Sequence, residues 1–224
     1  MSKKYQLEIA CFNYESTLIA QLGGADRIEL CNHFQEGGTT PDYTIAAKAR
    51  QHLLIDLFVM IRPRGGNFVY TDDDFKQMKK DIAHFKSTGI DGFVFGILHS
   101  DNTINLPQNK TLVELASPMP CSFHRAFDRT INHSHSLEAV IECRFQTLLT
   151  SGFASSAMLG LHHLTSLIKQ AGKRICIMPG GGVRSDNIDT IQNNTKASYY
   201  HSSAIIEGET ANFDEVKALK HQLI

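Results

Sequence analysis

The chain of 224 residues carries 22 Lys+Arg against 23 Asp+Glu, a formal charge of −1, and 42% apolar residues. This is the composition of a globular protein with a packed core, and without excess positive charge it excludes nucleic-acid binding by bulk electrostatics. The most apolar run, residues 53–61, is broken by Asp56 and falls far short of the roughly 20 residues of a membrane helix.

The opening Met-Ser-Lys-Lys-Tyr-Gln-Leu-Glu lacks the apolar stretch of a signal peptide, so the expectation is a cytoplasmic protein with no membrane partner. Five cysteines, an odd number with no Cys-x-x-Cys pair, fit free thiols in a reducing compartment. No linker or composition shift divides the chain, which argues for a single domain over residues 1–224.

Short apolar runs alternate with longer amphipathic stretches from end to end, the pattern of repeated βα units. Strands are expected at residues 6–11, 27–31, 54–62, 92–98, 121–125, 147–150, 174–178 and 198–202. Asn13 caps the first helix, which ends at Gly23-Gly24, and Thr40-Pro41 opens the second with proline at its first position. Thr71-x-x-Asp74 reads as a capping box for the third, and later helices are expected from about Pro107, Ser136, Ser155, Ser185 and Phe213.

Eight units in 224 residues leave about 28 residues each, enough for a strand, a crossover helix and short loops. The fold expected is a closed (β/α)8 TIM barrel. An open doubly wound sheet is the alternative, weakened because Cys11-Phe-Asn-Tyr-Glu stands where a Gly-x-Gly-x-x-Gly turn would follow the first strand.

In such a barrel the functional mouth lies at the C-terminal strand ends. Glu8 in Leu-Glu-Ile and Glu29 in Ile-Glu-Leu are carboxylates among apolar neighbours that face the helices, so alternation turns both inward. A buried carboxylate demands a partner, and Arg62 at the end of the third strand is the nearest candidate. His124 shares its parity with Ser122 and is followed by Arg125 and Asp128, and His201 on the last strand can join them.

Converging acid, guanidinium and imidazole groups suit proton transfer beside an anionic substrate; a salt-bridge layer that fixes register is the structural alternative. Gly180, Gly181 and Gly182, with Ser202 and Ser203 after the eighth strand, fall where many barrels hold phosphate. A tight turn would need the same glycines. Arg64-Gly65-Gly66 and Glu36-Gly37-Gly38 are expected to shape the same mouth. No strand ends in lysine and no two-His-plus-carboxylate pattern appears, so neither Schiff-base chemistry nor a catalytic zinc or iron site is indicated, and no organic cofactor is. The enzymatic reading is a cofactor-free isomerase or lyase acting on a small phosphorylated or carboxylated metabolite.

The runs Gly23-Gly-Ala-Asp-Arg-Ile-Glu-Leu-Cys31, Glu36-Gly-Gly-Thr-Thr-Pro41, Phe58-Val-Met-Ile-Arg-Pro-Arg-Gly-Gly66, Phe123-His-Arg-Ala-Phe-Asp128, Ile177-Met-Pro-Gly-Gly-Gly182 and His201-Ser-Ser-Ala204 closely resemble the CutC family. The resemblance implies a cytoplasmic TIM barrel, a homo-oligomer, with a part in copper homeostasis. It also implies Cu(I) as a ligand of two cysteines that correspond to Cys11 and Cys31. Thiolates suit Cu(I), but parity sets Cys31 on the inward face with Glu29 and Cys11 on the outward face with Leu7 and Ile9, so only a bulge or early strand end aims both sulfurs together. Both residues read equally as small buried hydrophobes. The chain departs from the family at Asn13, at Phe153 where glycine is usual, and in the acidic Ile205-Ile-Glu-Gly-Glu after the last strand, which argues against an oxyanion contact from that loop.

Overall fold

A computed structural model describes residues 5–223; Met1 to Lys4, part of the opening segment weighed above for a leader, lie outside the described residues. Strands and helices alternate from β1 (Gln6–Cys11), α1 (Tyr14–Leu22), β2 (Arg27–Leu30) and α2 (Tyr43–His52) to β3 (Asp56–Met60), α3 (Asp72–Lys86), β4 (Gly92–Phe95) and α4 (Leu106–Ala116). The second half repeats the pattern: β5 (Cys121–Phe123), α5 (His133–Glu142), β6 (Thr147–Thr150), α6 (Leu161–Ala171), β7 (Cys176–Pro179), α7 (Ile188–Thr195), β8 (Tyr199–Ser202) and α8 (Phe213–Gln222).

All seven ladders are parallel, in the order β7-β6-β5-β4-β3-β2-β1-β8. β7 and β8 lie side by side at the remaining seam, where Cys176 Sγ and Ser198 Oγ approach to 3.5 Å and Ser202 Oγ donates to the Val183 carbonyl at 2.7 Å. The sheet is thus a nearly closed (β/α)8 barrel, as the alternation of apolar and amphipathic runs dictates. No helix among the described residues is long and apolar enough to cross a membrane.

Alternation sorts the core into two compartments. Odd-numbered β1 residues Leu7, Ile9 and Cys11 join the large shell between sheet and helices, while Cys31, Phe58, Met60 and Val94 form a small cluster inside the barrel. Asn13 accepts from the Ser16 amide, and Thr71 and Asp74 form the reciprocal capping box that spacing predicted.

Four helix starts differ from expectation: α5 begins at His133 where about Ser136 was expected, α7 at Ile188 where about Ser185 was, and α2 and α6 begin later for reasons the contacts show. Thr40 and Pro41 do not open α2, because the Thr40 amide and hydroxyl bond the Arg62 carbonyl and amide at 2.9 Å, tying this stretch to the end of β3; α2 begins behind Asp42. Ser155 lies in a loop and α6 starts at Leu161, since the Ala157 amide is drawn to the Gly181 carbonyl at 2.8 Å.

That loop returns so close to β6 that a Cβ on Gly160 would stand 1.8 Å from the Ser151 carbonyl oxygen, a backbone atom with no rotamer to yield. Gly160→Ala is expected to cost about 2–3 kcal/mol by overpacking. Gly89→Ala, in open space at φ +76, is expected to cost about 1 kcal/mol from backbone conformation alone. Urea midpoints of the two variants check the order.

Candidate ligand-binding site at the barrel mouth

A cavity of about 200 Å3 opens at the C-terminal strand ends, and side chains from β2, from the segments after β3 and β5, and from β8 converge on it. Glu29, Arg62, His124 and His201, which lie as much as 172 residues apart in sequence (201 − 29), all line this one cavity. Glu8 lies beneath it, fully buried.

The partner of Glu8 is Arg27, not Arg62. Arg27 Nε donates to Glu8 Oε2 at 2.5 Å, and the guanidinium is sandwiched between the Phe58 and Tyr199 rings at 4.2 and 4.7 Å. The other Glu8 oxygen meets His201 Nδ1 at 2.7 Å, His201 Nε2 stands 3.9 Å from Glu29 Oε2, and the Cys31 thiol donates to that same oxygen at 3.7 Å. A continuous line of polar groups therefore climbs from Arg27 to Cys31. Arg62 serves the loops instead: Nη1 donates to the carbonyls of Glu36 and Gly38 at 2.7 Å and Nη2 to that of Gly66 at 3.0 Å, pinning both glycine-rich loops at the rim.

These surroundings set the protonation states. Burial would raise Glu8, but the charge of Arg27 and the hydrogen bond to His201 outweigh it and hold the carboxyl at about 2. Glu29 is pushed up by burial to about 7. Burial disfavours the His201 cation, yet the hydrogen bond to Glu8 and the charge of Glu29 raise it above its ordinary value. Burial, with Arg62 adding repulsion, drives His124 down to about 3, so its imidazole is neutral near pH 7. Its Nδ1 accepts from the Ala126 amide at 3.3 Å, which assigns the proton to Nε2, and that buried nitrogen has no partner among the described residues.

Two cavity-lining cations were given no role from sequence: Arg125, noted only as the neighbour of His124, and Arg184. Asp128, expected in the mouth, sits behind it as a strut: it accepts from Arg125 Nε at 2.9 Å, from Thr150 Oγ1 at 2.5 Å and from the Ser151 amide and hydroxyl. Arg184 donates to Ser202 Oγ at 3.0 Å and Ser203 Oγ at 3.3 Å, so those hydroxyls fix the arginine across the β7/β8 seam. Gly181 and Gly182 line the cavity, whereas Gly180 is needed for packing, since a Cβ there would meet Leu149 Cδ1 at 2.4 Å. Ser185 turns to Glu215, and the Glu209 carboxylate of the acidic loop accepts from Gln35.

Cys31 lines the mouth, and Cys11 belongs to the shell behind the sheet, its thiol donating to the Ile9 carbonyl at 3.6 Å. The β1–β2 register runs unbroken to Cys11↔Leu30, so no bulge turns the two sulfurs to one face. Burial first, then the charge of Glu29, pushes both thiols well above their ordinary range. Among the described residues no three His, Cys, Asp or Glu side chains gather as a group that could hold a metal ion. Phe153 adopts φ +62, the left-handed region that glycine enters freely, and stacks on His133 with ring centroids 3.2 Å apart.

The CutC family model matches residues 5–206. A copper homeostasis protein cutC homolog of Homo sapiens is 42% identical over 200 residues, covering 89% of this chain and 73% of that protein. A family protein CutC of Chromobacterium violaceum is 43% identical over 198 residues, covering 88% and 80%. The crystal structure of a putative copper homeostasis protein CutC from Streptococcus agalactiae superposes with a TM-score of 0.85 at 32% identity, over 89% of this chain and 98% of that one. A thiamine phosphate pyrophosphorylase from Pyrococcus furiosus, at TM-score 0.67 and 16% identity over 99% and 96%, shares the fold alone.

Proposed function

Because this chain belongs to the CutC family, we propose that it takes part in copper homeostasis, as its relatives' names describe, by holding Cu(I) in the barrel mouth on Cys31. The observation that carries the reading is the placement of Cys31: its thiol lines the cavity with the Met60 thioether and the His201 imidazole, donors of the kind Cu(I) favours. Cytoplasmic thiols stay reduced, which keeps Cys31 available. Cys11 contributes at most indirectly, from behind the sheet.

Copper must displace the Cys31 proton, and the adjacent Glu29 carboxylate, which titrates near 7, is the nearest acceptor. Metal binding accordingly releases protons and tightens as pH rises. Cu(I) titration against a competing chelator checks the assignment. Cys31→Ala is expected to weaken binding by tenfold or more and Cys11→Ala by less than twofold. Undiminished affinity in Cys31→Ala rejects the reading, and equal losses in both variants restore a two-cysteine site.

A further inference from the structure

The turn after β7 holds backbone donors with nothing to donate to. The Gly180 amide bonds the Thr150 carbonyl at 3.0 Å, but the amides of Gly181 and Gly182, and that of Ser203 just after β8, have no acceptor among the described residues. All three residues line the mouth cavity. Gly181 and Gly182 take φ +91 and +74, which glycine adopts without the strain of a side chain.

Charge converges on the same place. Arg125 spends Nε on Asp128 and Nη2 on Ser151, leaving Nη1 without a partner among the described residues, and the guanidinium lies over Gly181 so closely that a Cβ there would stand 3.1 Å from Cζ and Nη1. Arg184 is held beside Ser203 at 3.3 Å. Across the cavity His124 Nε2–H is a further unpartnered donor on a side chain only 3% exposed. Three guanidiniums, counting Arg62, face a single lining carboxylate among the described residues, Glu29.

We propose that the mouth binds a small organic phosphate monoester, with the phosphate seated on the Gly181, Gly182 and Ser203 amides beside Arg125. A tetrahedral group of charge near −2 with three peripheral oxygens matches so many converging donors, whereas a carboxylate with two oxygens would leave several unmet. The organic part extends across the cavity between Met60, Phe68 and His124. This site makes no use of copper, so it stands or falls apart from the metal reading.

The test uses metal-free, 15N-labelled full-length protein with glycerol 3-phosphate, inorganic phosphate and acetate as probes. Glycerol 3-phosphate is expected to shift the Gly181, Gly182 and Ser203 amide resonances saturably and to bind at least tenfold more tightly than acetate. Arg125→Gln is expected to weaken it about tenfold. Because Arg125 also braces Asp128, Ser203→Ala provides a second variant: it keeps the amide but removes the hydroxyl that holds Arg184 beside the site at 3.3 Å, with an expected loss of about threefold. Absence of saturable shifts at these amides, acetate binding as tightly as the ester, response to inorganic phosphate alone, or unchanged affinity in both variants would each overturn the proposal.

Discussion

Arg27→Met is expected to lower stability by about 3–5 kcal/mol at pH 7, the cost of leaving a buried charge without its partner. Glu8 is completely buried and Arg27 5% exposed, so water cannot replace what the guanidinium supplies, and among the described residues His201 at 2.7 Å is the only other group on the carboxylate. The two aromatic faces around Arg27 lose their cation as well. The sign of the pH dependence follows from Glu8. Its folded value of about 2, below the ordinary 4.5, contributes stability that is complete above pH 4.5 and fades as pH falls toward 2. Without Arg27 that contribution shrinks, so the deficit of the variant is greatest above pH 4.5 and narrows in acid. The double variant Glu8→Leu, Arg27→Met, which removes both charges, is expected to recover at least half of the loss. Urea unfolding of wild type, both single variants and the double variant measures the coupling; a loss under about 1 kcal/mol in Arg27→Met at neutral pH would show that water or a rearranged neighbour solvates Glu8.

The same pair marks how far a sequence of this kind can be read. Period-2 alternation places Glu8 and Glu29 inside the barrel and separates Cys11 from Cys31, because parity depends only on neighbours along the chain. Arg27 shares the inward parity of Glu29 and was legible by that rule, but it opens its strand, where a charged residue reads as an edge. Partner choice was not legible for Arg62: its acceptors are three backbone carbonyls on two loops, and carbonyls leave no mark in a sequence. The strands also end earlier than their apolar runs, so Ile61, Arg62, Ile97, Leu98 and His124 belong to the turns that shape the mouth. Glycine runs located the turn after β7, while the arginines that charge it, Arg125 and Arg184, lie 59 residues apart (184 − 125) and meet only through closure of the barrel.

Closure also places two groups with opposed proton affinities in one cavity, and their variants are expected to respond to acid in opposite directions. His124 has a folded value of about 3 against an ordinary 6.5, so the unfolded chain takes up a proton that the folded one refuses, and stability falls as pH drops below 6.5, by about 2 kcal/mol at pH 5. Glu29 has a folded value of about 7 against 4.5; the folded protein takes up its proton first, and stability rises by a similar amount, about 2–3 kcal/mol, between pH 7 and pH 5. In wild type the two slopes oppose each other; His201, raised above 6.5, adds stability as pH falls toward 6.5 and no further change below it, and Glu8 adds nothing until pH approaches 4.5. His124→Gln removes the first slope, so this variant should grow more stable, relative to its own value at pH 7, as the buffer is acidified to pH 5. Glu29→Gln removes the second and should weaken over the same interval. Unfolding free energies at pH 7, 6 and 5 separate the curves by roughly 4 kcal/mol at the acid end, if the shifts add. Parallel curves would mean that His124 and Glu29 titrate as exposed groups do, and that the mouth admits enough water to solvate both.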